Sequence, residues 1–368
     1  MHTVLYVHHS SQVSGAERSM LEIIGRLAGR CEIIVACPPD GPLPALIEAA
    51  GARVAPAPLV RFKRTLCPVT LSRYISARRT GIRALVRIIR ETGASIVHAN
   101  TTTACLYAGP AAKRCGLPLV WHIRDLAVPR IARFGLPPRY APIAISSFVA
   151  ERVAARTGMP PEVIHNGIRL DAYHPAAVAP IEPVVMMVGQ LVPWKGHRDF
   201  LCAAAIVYQA LAAARFDIVG ADLFNDHPGY SDKLAEITAE LGITDAVRFA
   251  GYRDDIPDAL RTASLLVLPS RNEPFGRIVV EAMATGLPVV AYNEGGPAEI
   301  IVDGETGLLV EPGNVDELAI AIASVLVDPR RAARMGQAGR KRAEQYFDSC
   351  IPARKILAVY DRLAGEQP

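Results

Sequence analysis

The sequence predicts an α/β protein built on two open, parallel, doubly wound sheets, and three observations carry that prediction. Short β-branched runs alternate with longer helical patterns from end to end. Many of the runs are continuously apolar, as strands covered on both faces must be. The alternation is interrupted at residues 174–183, HPAAVAPIEP, a Pro- and Ala-rich stretch with neither helical nor strand period. That break leaves two halves of similar size.

In the first half the expected strands are TVLYVH, EIIVAC, ARVAPA, SIVHAN, LVWHI, PIAIS and EVIHN. In the second they are VVMMVG, FDIVG, VRFAG, LLVLPS, PVVAY and GLLVEP. The interruption reads as an interdomain linker, giving domains 1–178 and 179–347. A final helix within 348–368, CIPARKILAVYDRL, follows a break at Phe347–Pro352 and is expected to return to the first domain. Two such domains are expected to face each other across a cleft, with ligands at the carboxyl ends of the strands.

Composition narrows the function classes. A net charge of +4 over 368 residues argues for no particular partner. Seven cysteines, an odd number without a CxxC pair, argue against a disulfide framework or a zinc site. The start, MHTVLYVHHS, lacks the basic and long apolar regions of a signal peptide. The longest apolar stretch, FLCAAAIVYQALAAA, is shorter than the ~20 residues that span a bilayer, contains Gln209, and reads as a buried helix. A cytoplasmic protein is expected.

The most informative stretch is RNEPFGRIVVEAMATGLPVVAY, residues 271–292. A helix is expected to start near Phe275. The N–H groups of Gly276, Arg277 and Ile278 then carry partial positive charge suited to an anion or a sugar hydroxyl. Glu281 falls roughly 9 Å along that helix at 1.5 Å per residue, and Glu273 lies beyond its start. Glycosidase carboxyl pairs stand about 5–5.5 Å apart in retaining enzymes and about 6.5–9.5 Å in inverting ones. Glu273 and Glu281 are therefore poorly placed for one bond and better placed for the two ends of a long ligand, such as a nucleotide sugar.

Residues 269–314, from PSRNEPFG to VEPGN, resemble the retaining glycosyltransferases of family 4, which have the GT-B fold. The shared elements are Glu, seven residues, Glu, a small-residue turn, PVV, and a glycine pair before EII. The resemblance extends to VGQLVPWKGH (188–197), VIHNGIRLDAYHP (163–175) and, more loosely, the N-terminal half. It implies that Glu281 holds the donor ribose and Glu273 contacts the donor sugar near its reacting carbon. It also implies that Lys195 meets the diphosphate, where charge builds as the sugar leaves. Gln190 stands where the family usually has arginine, with Arg277 or Arg271 available to compensate. Gly15 corresponds to the second glycine of a loop beneath the diphosphate, with Ser14 in place of the first. His122, in LVWHIRD with Asp125, corresponds to a histidine near the reacting end of the sugar. The backbone around Tyr252 and Arg253 resembles a base-pocket loop, and Phe275 belongs to the same donor-binding loop as Gly276. No metal is implied, and Asp254–Asp255 reads as a helix cap. His8, His9 and His98 read as structural strand-end residues.

The resemblance implies transfer of a sugar from a nucleotide diphosphate donor to a hydroxyl, with retention, by a front-face route in which the leaving phosphate takes the acceptor proton. Two alternatives stay open: an epimerase or hydrolase on the same scaffold, and a sugar-nucleotide binder without turnover.

The acceptor side is suggested by charge. Residues 61–140 carry 15 lysines or arginines against two acids, Glu91 and Asp125. SARRTGIRALVRIIRETG places Arg79, Arg83, Arg87 and Arg90 on one helical face and Ile82, Leu85, Val86 and Ile89 on another. A basic amphipathic helix suits an anionic membrane, so docking on the inner membrane face and a lipid-linked acceptor are expected. Nucleic acid is disfavoured because no aromatic residues interleave with the arginines.

Overall fold

The computed structural model describes residues 1–62, 67–129, 135–176 and 182–365. The chain divides into two units, Met1–Gly167 with Ser349–Pro368, and Ile168–Asp348.

The first unit runs β1 (His2–Val7), α1 (Gly15–Leu27), β2 (Cys31–Cys37), α2 (Leu43–Ala49), β3 (Arg53–Pro56), α3 (Pro68–Thr92), β4 (Ile96–Ala99), α4 (Thr102–Cys115), β5 (Leu119–Ile123), β6 (Tyr140–Ala144), α5 (Ser147–Thr157) and β7 (Glu162–Val163). Its seven strands are all parallel, in the order β3-β2-β1-β4-β5-β6-β7. The second unit runs β8 (Val184–Val188), α6 (His197–Ala210), β9 (Arg215–Val219), α7 (Tyr230–Glu240), β10 (Val247–Gly251), α8 (Ile256–Arg261), β11 (Leu265–Leu268), α9 (Arg277–Ala284), β12 (Val289–Tyr292), α10 (Gly296–Ile300), β13 (Leu308–Val310), α11 (Val315–Leu326) and α12 (Pro329–Tyr346). Its six parallel strands are ordered β10-β9-β8-β11-β12-β13. Every expected strand is present, and each sheet is doubly wound. Burial on both faces explains the unbroken apolar runs: β11 and β12 are fully buried along their length. Each sheet reverses direction of winding once, between β1 and β4 in the first unit and between β8 and β11 in the second. Ligands in such sheets bind beyond the strand carboxyl ends at that reversal.

The unit boundary falls at Gly167–Ile168, not at 178–179. Ile168 donates its N–H to the Phe347 carbonyl at 2.8 Å and bridges to Asp348, so the two passages of the chain pair where they cross. Of the expected linker, 177–181 lies outside the described residues. The final helix, α13 (Cys350–Gly365), belongs to the first unit. It includes Pro352 in its first turn, where a missing N–H costs nothing. It buries Ile356, Val359, Tyr360 and Leu363 in the core beneath α1, each aliphatic one worth ~1.5–3 kcal/mol.

The amphipathic reading of α3 needs correction. Ile82, Leu85 and Ile89 are buried inside the first unit, where Gly81 lets the helix approach Tyr107 so closely that a Cβ would lie 2.7 Å from its ring. That apolar face is unavailable to a membrane. The arginines at 79, 83, 87 and 90 do face solvent. At the other end of α3, Val69, Leu71 and Ile75 are exposed at 65%, 52% and 47%. Lys63, Arg64, Arg130 and Arg133, part of the basic region, lie outside the described residues.

Candidate active site

In the second unit, Lys195 and Glu273 follow β8 and β11, the strands flanking the winding reversal. A short 3-10 turn, Pro193–Lys195, brings the Lys195 stem alongside Gly189. Gly196, at φ 82°, then turns the chain into α6; a Cβ there would lie 1.9 Å from the Pro269 carbonyl oxygen. Lys195 Nζ donates to Glu273 Oε2 at 2.6 Å and sits 4.4 Å from the Trp194 ring centroid. Both side chains of the pair are largely buried, at 14% and 9% exposure.

The loop carrying Glu273 is fixed from behind. Gly296 donates its N–H to the Glu273 carbonyl at 2.9 Å. Gly295 and Gly296 pack so tightly on residues 273–275 that neither position admits a Cβ. Helix α9 starts at Arg277, two residues later than expected, because Gly276 takes a left-handed conformation at φ 86°. Ile278 lies in its first turn. Glu281, at 5% exposure, is no solvated helix residue: Arg277 Nε donates to it at 2.6 Å, one turn back. The two acids thus engage different cations, and Arg277 is committed to Glu281. Arg271 lies half exposed, 3.9 Å from Asp199, and Gln190 is half-buried just past β8.

Phe275 turns inward at 3% exposure against Phe347, so only its backbone can meet a ligand. Tyr252 is exposed. Arg253 pairs with Asp255 (Nε to Oδ1, 2.8 Å), which corrects the expected helix cap: Asp255 holds the N-terminal position of α8, but its carboxylate serves the arginine. Among the described residues no three His, Cys, Asp or Glu side chains converge as a metal-binding group. His197, buried at the start of α6, is held down at about 4 by burial and by the Lys195 charge.

In the first unit, Gly15 opens α1 with nothing within 4 Å of where a Cβ would stand. Ser14 adopts extended backbone at φ −127°, so serine there costs no strain. Its N–H donates to Glu17 Oε2 at 2.8 Å, and His8 Nε2 lies 2.6 Å from Glu17 Oε1. Burial pushes the Glu17 carboxyl up, but His8 and Ser14 outweigh it and hold it at about 2. His9 lies 3.0 Å from the Thr101 hydroxyl and is held down at about 3 by burial and its His8 neighbour.

His122 lies near the carboxyl end of β5 at 1% exposure. Its Nδ1 is 3.3 Å from both Arg124 Nη2 and His98 Nε2, while its Nε2 is buried without a partner. Burial, followed by Arg124 and His98, holds it well below the usual histidine range. Asp125 accepts from the Ala127 N–H at 3.1 Å; burial pushes its carboxyl up to about 6.

Comparison with known proteins identifies the family. The pattern described as Glycosyl transferases group 1 matches residues 175–342, and that of Glycosyltransferase Family 4 matches residues 13–172. The chain belongs to glycosyltransferase family 4. Among solved structures, HepE of Anabaena in complex with UDP-glucose superposes with a TM-score of 0.84 at 26% identity, over 98% of this chain and 99% of that one. Among curated relatives of this family 4 chain are the lipopolysaccharide core biosynthesis mannosyltransferase LpcC of Rhizobium leguminosarum bv. viciae (31% identical, 59% of this chain and 64% of that) and a GDP-mannose-dependent alpha-(1-6)-phosphatidylinositol monomannoside mannosyltransferase of Mycobacterium tuberculosis (30%, 54% and 55%). The chain thus spans somewhat over half the length of these relatives. The GT-B architecture also appears in sucrose-phosphate synthase of Thermosynechococcus elongatus, with a TM-score of 0.85 at 20% identity over the full length of both chains.

Sequence reasoning singled out Lys195, Glu273 and Glu281, but it overlooked Arg124, Glu17 and Tyr360. The overlooked arginine was legible in one respect: LVWHIRD opens with a strand that is apolar but for His122, so a charged residue two places after that histidine calls for a buried partner.

Proposed function

We propose that this protein is a retaining, metal-independent glycosyltransferase that moves a sugar from a nucleotide diphosphate sugar to a hydroxyl acceptor. The observation that carries the reading is the buried Lys195–Glu273 pair, 2.6 Å apart, beside the start of α9. A cation held by one carboxylate can be shared with an arriving diphosphate, and the α9 N–H groups add partial positive charge. Both stabilise the leaving group as the bond from the anomeric carbon to the phosphate oxygen breaks. The acceptor oxygen forms the new bond on the same face, and its proton passes to the departing phosphate oxygen. Glu281 is the ribose ligand in this reading, freed in part from Arg277. The UDP-glucose bound to HepE and the GDP-mannose dependence of the mycobacterial relative support the donor class.

A thermal-shift screen across UDP-, GDP- and ADP-sugars tests the donor site, because a ligand of the folded state raises apparent stability. One donor class is expected to raise the melting temperature, and Glu281→Ala to abolish most of that rise. No shift with any donor would remove the reading. Gln190, uncharged where the family has arginine, favours a second reading as a binder without turnover; sugar transfer to an acceptor extract excludes it.

The acceptor is proposed to be lipid-linked or part of a cell-envelope glycan, with the protein cytoplasmic and peripheral on the inner membrane face. Among the described residues no helix is long and apolar enough to cross a membrane. The exposed arginines of α3 supply attraction to anionic lipid, at about 1 kcal/mol each near the surface, and Val69, Leu71 and Ile75 supply apolar contact. Pelleting with phosphatidylglycerol vesicles is expected to exceed that with phosphatidylcholine vesicles, and Arg79→Glu with Arg83→Glu to remove the difference. Equal pelleting with both would discard the membrane arm alone.

A further inference from the structure

A buried polar chain runs through the first unit and ends at His122. Tyr6 and His98 are register partners on β1 and β4, with rings stacked 4.2 Å apart. Tyr360 of α13 places its hydroxyl 2.8 Å from that of Tyr6 and 2.7 Å from His98 Nδ1. His98 Nε2 continues to His122 Nδ1 at 3.3 Å. From the other side, Arg124 Nη2 also reaches His122 Nδ1 at 3.3 Å. Arg124 is 7% exposed and held in place by Asn100, whose carbonyl and side-chain oxygens accept from its Nε at 3.1 Å, and by Asn166, whose side-chain oxygen accepts from Nη1 at 2.7 Å.

Guanidinium has donors and no acceptor. Its contact therefore makes His122 Nδ1 an acceptor, and a neutral ring must then carry its single proton on Nε2. The same nitrogen can only accept from His98 as well, which puts the His98 proton on Nε2 and leaves its Nδ1 as an acceptor for the single rotatable proton of the Tyr360 hydroxyl; the Tyr6 hydroxyl, 2.8 Å away, then turns its own proton to the Tyr360 oxygen. We infer that Arg124, His98 and Tyr360 are positioning residues that lock His122 in the Nε2–H tautomer, making it a hydrogen-bond donor to a substrate oxygen and not a proton acceptor. His122 Nε2 is the open end of the chain, buried and without a partner. Burial, together with the Arg124 charge, holds both imidazoles well below the usual histidine range, so they stay neutral. The role given to His122 rests on the proposed sugar transfer; the tautomer does not.

The test therefore has two parts. Protein labelled with ¹⁵N in the histidine rings reports which nitrogen is protonated, with the His122 signals assigned by His122→Gln. A bare Nδ1 and a protonated Nε2 are expected throughout the neutral range. Tyr360→Phe, which keeps the packing, and Arg124→Met are expected to give mixed tautomers at His122. They are also expected to lower kcat by about fivefold and about 100-fold, with donor KM little changed. A His122 protonated on Nδ1 in the unmodified protein overturns the inference even if the protein transfers sugar. A locked Nε2–H tautomer that survives both substitutions overturns it too. Should Arg124→Met fail to fold, Tyr360→Phe alone decides. Absence of sugar transfer with any donor would instead overturn the proposed function and leave the tautomer result standing.

Discussion

Replacing Lys195 by methionine is expected to lower turnover by about 10²–10³-fold, the usual cost of removing one group aimed at developing charge. The same change leaves Glu273 without its cation at 7% exposure. Removing one partner of a buried pair costs more than the pair itself contributes, because the remaining charge stays desolvated. A stability loss of about 3 kcal/mol is therefore expected alongside the kinetic loss. The two effects are separable. Lys195→Met with Glu273→Gln removes the orphaned charge and keeps the volume of both side chains, so the denaturation midpoint is expected to recover most of the way. Turnover is expected to stay down, because nothing neutralises the leaving diphosphate. Urea titration and steady-state kinetics on the three proteins give the answer. If Lys195→Met alone loses stability but keeps its turnover, the pair is a structural device and the leaving-group role is wrong.

The contrast between what was readable in the sequence and what was not follows from the range of the interactions. The strands were readable because burial on both faces of a parallel sheet imposes an unbroken apolar run on each one, a local signature. Glu273 and Glu281 stood out through helix spacing, which is also local, whereas Lys195 stood out only through the resemblance of VGQLVPWKGH to the family. The helix start was misplaced by two residues because left-handed Gly276 extends the loop, and the string Pro-Phe-Gly does not say which residue bends. The unit boundary was misplaced because it depends on Ile168 pairing with Phe347, a contact between distant stretches. Tyr360 and His98 stand 262 residues apart, and no periodicity links them. The apolar face of α3 was read correctly as apolar, but pattern alone does not distinguish a face that meets lipid from one that meets α4.

Gly296→Ala is expected to damage both stability and turnover although the position bears no functional group. Its Cβ would lie 2.2 Å from both the Cα and the carbonyl oxygen of Phe275, and these are backbone atoms that no rotamer change can move aside. Retreat of the loop is resisted at Phe275, whose buried ring packs edge-on against Phe347 with centroids 6.1 Å apart. Relief must then come from α10 moving away, which breaks the Gly296 N–H bond to the Glu273 carbonyl, or from displacement of the 273–275 loop itself. Either route costs about 3 kcal/mol, and the second shifts the Glu273 carboxylate and Lys195 with it. A displacement of about 1 Å at such a site is enough for a 100-fold fall in turnover. Gly304→Ala separates this from the general cost of losing a glycine: at φ 74° with nothing within 4 Å, it meets only backbone strain, worth about 1 kcal/mol, and leaves turnover unchanged. If Gly296→Ala loses no more stability than Gly304→Ala and turns over normally, the glycine pair does not hold the Glu273 loop, and the position of that carboxylate must be set from the Lys195 side alone.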